Sequence, residues 1–187
     1  MKNIAVFASG SGSNAENIIT YFAGHSEIRV AMIVSNNPNA GVLERAERLG
    51  VPSFVFSRGE FEKGSPVLKK LAEYRVELIV LAGFLNMISK AFLNAYPERI
   101  INIHPALLPK YGGKGMYGMH VHKAVIAGKE EKTGITIHHI NEVYDDGEVI
   151  FQASFPIHAH DTPEIVAKKV HTLEYEHYPR VIEKFLS

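Results

Sequence analysis

Ile4-Ala5-Val6-Phe7-Ala8-Ser9-Gly10-Ser11-Gly12-Ser13-Asn14-Ala15 sets an apolar run against a glycine-rich, polar tip. A near-continuous apolar run of this length, ended by glycine, marks a strand buried on both faces. The residues after it suit a helix from about Asn14 to Phe22, with Ser13 as the expected cap. The unit then recurs. A strand is expected at Val30–Ser35, a helix around Val42–Leu49 stopped by Gly50, and a short strand at Phe54–Phe56. A helix around Val67–Tyr74, a strand at Leu78–Ala82, a helix near Lys90–Ala95 and a strand at Ile100–Ile103 follow.

Strand, helix and strand in repetition predict parallel strands joined by right-handed crossovers, hence an α/β, doubly wound, mostly parallel sheet. After His104 the pattern changes. A glycine-rich loop spans Tyr111–Gly118, and a helix is expected near Val121–Ala127. The strand-like runs Ile135–Ile140 and Val149–Phe155 flank the turn Tyr144-Asp145-Asp146-Gly147, which predicts an antiparallel C-terminal portion. Asp161-Thr162-Pro163-Glu164 supplies a cap, a helix-compatible proline and a glutamate three residues on, opening a helix expected to run to the end.

The chain has 187 residues, 46% hydrophobic and 21% charged, which favours one domain over residues 1–187 with a sizeable core. Lysine plus arginine and aspartate plus glutamate number 20 each, so there is no basic excess of the kind that grips a nucleic acid backbone. No cysteine is present, which excludes disulfides, thiolate metal sites and cysteine nucleophiles. No run approaches the roughly 20 apolar residues of a membrane helix, and the first residues lack the flanks of a signal peptide. A cytoplasmic protein with neither a nucleic acid nor a membrane partner is expected.

Three features carry chemistry. In Ser9–Ala15 the glycines let backbone approach a ligand, and the free amides of a helix start favour an anion. Gly10, Gly12 and Ala15 also meet the spacing of a dinucleotide site, but that site needs an acidic residue at the tip of the second strand. Here the tip reads Ser35-Asn36-Asn37, so an oxidoreductase that uses NAD is disfavoured, and the serines and asparagine suit a terminal monophosphate. A tight turn without a ligand would read the same way. The second feature is Asn102-Ile103-His104-Pro105. Residues two apart on a strand share a side, so Asn102 and His104 face one cleft, at the strand end where such sheets bind ligands. Asparagine can stabilise an oxyanion, and histidine can move protons near neutral pH. The third is Asp145. A carboxylate near an imidazole can orient it and hold a water, while Asp-Asp-Gly equally serves a hairpin turn. His120-x-His122, His138-His139 and His158-x-His160 lack a third ligand at a recognised spacing, so no metal is expected.

Together these features resemble the folate-dependent formyltransferase family. The resemblance covers essentially the whole chain and rests on Ser9–Asn14, Leu81-Ala82-Gly83-Phe84, Asn102–Tyr111 and Asp145-Asp146-Gly147, in that order. It implies a Rossmann-like formyltransferase fold whose N-terminal half binds phosphate or nucleotide and whose C-terminal half binds folate and catalyses. The implied reaction moves the formyl group of 10-formyltetrahydrofolate, a co-substrate, to the amine of 5'-phosphoribosylglycinamide (glycinamide ribonucleotide) in purine biosynthesis. Asn102, His104 and Asp145 fall on the family's catalytic trio. Gly12, Ser13 and Asn14 fall on its phosphate loop, and Glu174 where members contact ribose hydroxyls. Leu85, Asn86, Met87 and Ile88, together with Asn102, fall on the pterin-holding positions, and Leu108-Pro109 matches a bond that is cis in relatives.

The chain departs from the family pattern in places. Ala106 replaces a serine at what is expected to be an outer position. Asn86 stands where many members have arginine, and Lys63-Gly64 offers no clear match to an arginine that reaches the folate tail. The loop Gly112–Met119 is longer than in many members and is expected to act as a lid. A monomer or homodimer is expected. The alternatives are a formyltetrahydrofolate deformylase, another folate-dependent formyltransferase, or a folate- or nucleotide-binding module without catalysis.

Overall fold

The opening run becomes β1 (Lys2–Phe7), whose residues Ile4 to Phe7 are all buried, in a computed structural model that describes residues 1–63 and 65–187. Around it lie β2 (Ile28–Ser35), β3 (Ser53–Val55), β4 (Val76–Leu81), β5 (Ile100–His104), β6 (Lys132–His139) and β7 (Val149–Pro156). They form one seven-stranded sheet in the order β3-β2-β1-β4-β5-β6-β7. The first five strands are parallel, and β6 and β7 are antiparallel, as the alternation and the later hairpin pattern predict.

Both faces are covered, which is why β1 has no polar alternation. On one face Ile4, Val6 and Ala8 pack with α1 (Ser13–Tyr21), α2 (Gly41–Arg48) and the long α7 (Pro163–Leu186). On the other, Ala5 and Phe7 pack against an aromatic cluster of Phe56, Phe61, Phe84 and Phe92. That cluster lies under α3 (Arg58–Lys63), α4 (Ser65–Glu73) and α5 (Lys90–Ala95). The remaining helix, α6 (Met119–Ala127), contacts α7. In α7 the buried Tyr178 donates its hydroxyl to the carbonyl of Leu81 at 2.9 Å and lies 3.3 Å from that of Ile101, tying the helix to the ends of β4 and β5.

Local details differ from expectation. Gly12, not Ser13, is the N-cap of α1; it sits in the left-handed region at φ 77, and no side chain caps the helix. Thr162, not Asp161, caps α7, accepting from Ile165 N, while Asp161 accepts from His158 N and Lys169 Nζ. The six-residue α3 lacks an apolar period long enough to be read from sequence. Ala106 is not an outer position: it is fully buried with Val121 and Val125. Leu108-Pro109 is cis. Among the described residues, no helix is long and apolar enough to cross a membrane.

Candidate active site

Strand order reverses between β1 and β4, and the crevice beyond their C-terminal ends is where open α/β sheets bind ligands. Three structures meet there: the loop after β1, the turn after β4, and the end of β5. Ser9 joins the first two, its backbone N–H donating to Gly83 O and its hydroxyl accepting from Leu85 N, both at 3.0 Å.

The loop after β1 forms one wall of a pocket of 330 Å³ lined by Gly10 to Asn14, Pro105, His122, His171 and Glu174. The sequence candidates Gly12, Ser13, Asn14 and Glu174 therefore share one chamber, although Glu174 is 160 residues from Asn14. Asn14 Nδ2 donates to Glu174 Oε2 at 2.9 Å, and His171 Nδ1 lies 2.7 Å from the same oxygen. That hydrogen bond raises the His171 pKa, against the opposing pull of burial. The ring is half exposed, so solvent keeps the effect small. A histidine whose folded pKa is raised stabilises the fold most below its unfolded pKa, and loses that contribution as pH rises through the folded value. The melting-temperature gap between wild type and His171→Asn is thus expected to narrow from about pH 5.5 to about pH 9. A gap that widened would exclude the pairing.

At the next position along the crevice lie Asn102, His104 and Asp145, which line a cleft of 410 Å³ with Phe84, Leu85 and the loop Gly113 to Tyr117. His104 is 3% exposed. Its Nε2 lies 2.7 Å from the carbonyl of Tyr111 and its Nδ1 3.5 Å from Asp145 Oδ2. Both nitrogens face oxygen acceptors, Nε2 within hydrogen-bond distance and Nδ1 at ion-pair distance. Asp145 lies in the β6–β7 connection at φ 53, and its Oδ2 also accepts from Gly113 N at 2.9 Å. The carboxylate thus links the glycine loop to His104 at the end of β5. The chain leaving His104 is clamped by buried Thr136, whose hydroxyl donates to Ala106 O at 2.7 Å and accepts from Leu108 N at 3.0 Å.

Sequence reasoning missed His138, which it weighed only as a metal ligand. Antiparallel pairing sets Asn102 opposite His138 and His104 opposite Thr136. Asn102 Nδ2 lies 3.2 Å from His138 Nε2, and His138 Nδ1 lies 2.8 Å from its neighbour's carbonyl. A carbonyl only accepts, so Nδ1 carries the proton and Nε2 accepts from Asn102. Burial holds the His138 pKa below the ordinary imidazole value, keeping it neutral in this role. His138 therefore fixes the direction of the Asn102 amide and leaves one amide N–H for a ligand. Only the β5–β6 register shows this.

A third pocket, continuous with the cleft through Phe84, Asn102, Tyr144 and Asp145, is lined by Asn86, Met87 and Ile88. Leu85, the first residue of that sequence candidate, instead lines the cleft and the pocket that holds Glu174. Asn86 accepts from Asn36 Nδ2 at 3.1 Å, so the tip of β2 supports this wall. The opposite wall is Ile140, Asn141, Val143 and Tyr144, of which sequence reading noted only Tyr144, as part of a turn. Gly64 and the Lys63 side chain, weighed for folate-tail contact, lie outside the described residues.

A doubly wound sheet with Asn102, His104 and Asp145 in a cleft between the glycine loop after β1 and a largely apolar pocket is a frame suited to a group-transfer enzyme. The chain belongs to the formyl transferase family, whose sequence profile matches residues 2–182. It is 39% identical to the phosphoribosylglycinamide formyltransferase of Bacillus subtilis (strain 168), over 100% of this chain and 95% of that protein. It is 40% identical to the chloroplastic phosphoribosylglycinamide formyltransferase of Arabidopsis thaliana, over 97% of this chain but 64% of the plant protein's length. The crystal structure of glycinamide ribonucleotide transformylase 1 from Geobacillus kaustophilus matches with a TM-score of 0.90 and 37% identity over 100% of both chains.

Proposed function

We propose that this chain transfers the formyl group of 10-formyltetrahydrofolate to the amine of 5'-phosphoribosylglycinamide, as a cytoplasmic enzyme of purine synthesis folded as one domain. The observation that carries the reading is a row of three adjoining pockets that share lining residues, with Asn102, His104 and Asp145 all lining the middle one. The phosphate-side pocket pairs an anion-binding loop with a carboxylate, complementary to a phosphate and ribose hydroxyls. The apolar pocket with Asn86 and backbone groups suits a flat heterocycle. The formyl carbon and the amine then meet in the cleft between.

The neutral amine attacks the formyl carbon, forming a carbon–nitrogen bond, and the carbonyl oxygen becomes an oxyanion. The free amide N–H of Asn102 and protonated His104 stabilise it; one such donor is worth about 10²–10³ in rate. His104 supplies a proton to the folate nitrogen as its bond to the formyl carbon breaks. Asp145 positions a water that relays the proton lost by the attacking nitrogen to the imidazole, which restores His104. The Tyr111 carbonyl holds the far side of the ring, so Nδ1 is the nitrogen presented to Asp145 and the cleft. The loop Gly112–Met119 forms one side of that cleft, and we assign it the role of a lid.

Purified protein mixed with both substrates is expected to release tetrahydrofolate, followed by absorbance, only when the ribonucleotide is present. Release without the amine would identify a deformylase instead, and absence of release would end the proposal.

A further inference from the structure

His122 lies on the inner side of α6, 3% exposed between Val121 and Val125, and its ring lines the pocket that holds Gly10 to Asn14 and Glu174. Its Nδ1 is enclosed by protein and has no hydrogen-bond partner among the described residues. A buried polar atom without a partner is uncommon, and an orphaned N–H is rarer than an underused acceptor. The neutral ring therefore carries its proton on Nε2, leaving that atom as the donor available to the pocket. Burial pushes the His122 pKa down, with Glu174 pulling it up and His171 and His104 pushing it further down.

We infer that His122 is a specificity-determining substrate-binding residue, its Nε2–H donating a hydrogen bond to an acceptor oxygen of the phosphoribosyl group. The inference rests on the phosphoribosyl reading of this pocket and deepens it. Glu174 can only accept and so suits ribose hydroxyls; an oxygen on the side away from the loop amides that carries no proton calls for a donor there. His122 supplies one without adding a cation beside Glu174. The pair reads a ligand that offers hydroxyls on one side and a phosphate or ring oxygen on the other.

The test compares wild type, His122→Phe and His122→Gln in steady-state assays that vary each substrate. The phenylalanine keeps the ring volume and loses the donor, so the KM for phosphoribosylglycinamide is expected to rise about tenfold. The effect should fall on that KM rather than on kcat or on the KM for the folate. Glutamine, which returns an N–H donor, should restore most of the loss. An unchanged ribonucleotide KM in His122→Phe, or an equal rise in both KM values, overturns the inference. Nitrogen-15 histidine NMR of the wild type keeps the test open if His122→Phe fails to fold. Saturating ribose 5-phosphate should move the His122 Nε2 signal, and an unmoved signal overturns the inference. Inorganic phosphate alone moves that signal if phosphate is the partner and leaves it in place if the ribose is. Wild type inactive on phosphoribosylglycinamide would overturn the functional reading and this inference together, whereas an active wild type with an unaffected variant removes only His122.

Discussion

His104→Ala is expected to lower kcat by about 10³-fold, because it removes both an oxyanion donor and the proton source for the departing nitrogen. The fold should survive: the ring makes one hydrogen bond, to Tyr111 O, and the strand that carries it is held by β4 and β6. KM values for both substrates should change far less than kcat, since the group acts mainly in the transition state. Asn102→Ala and Asp145→Asn should also cost orders of magnitude, and pairs of substitutions should cost less than the product of the singles, because the three residues act as a unit. Steady-state release of tetrahydrofolate measures this, with circular dichroism as the control for folding. A near-normal kcat in His104→Ala would exclude the assigned chemistry.

Gly12→Ala is expected to cripple the phosphate loop. Gly12 sits at φ 77, and a Cβ there would lie 2.5 Å from Val42 Cβ and 2.7 Å from its Cα. The left-handed backbone costs an alanine about 1–2 kcal/mol, and the overpacking adds about 1–3 kcal/mol. The backbone at Val42 is itself anchored, its N–H donating to Gly10 O at 3.1 Å, so the loop must yield. With the loop holding the phosphate as proposed, its displacement is expected to raise the ribonucleotide KM by about 10²-fold, with the folate KM little changed. Thermal melts should show the loss of stability directly. Adding Val42→Ala should rescue little, because it removes only the Cγ contact and leaves the Cβ and Cα that meet the new methyl. If Gly12→Ala binds the ribonucleotide normally, the loop does not hold the phosphate.

The reach of sequence reading differs from residue to residue. Asn102 and His104 were legible because side chains alternate along a strand, so spacing alone puts them on one side. Asp145 had a hairpin reading of equal strength from composition, and its place rested on family resemblance until the distance to His104 was known. His138 was out of reach, since its role exists only in the register that sets it opposite Asn102. The cap of α1 was misassigned for a related reason. Serine is the better cap in isolation, but close packing on Val42 requires glycine at the turn, so tertiary contact outweighs local preference.

From the chain alone, the periodicity of apolar runs determined the doubly wound sheet, and the two motifs at strand ends determined where chemistry could occur. Both are local properties, carried by residues a few positions apart. Tertiary structure decided the rest: Glu174 reaching Asn14 across 160 residues, His138 orienting Asn102, and His122 lining the same pocket as Glu174. Those relations depend on strand register and helix docking, which arise from burial of the whole core and leave no mark in any short stretch of sequence.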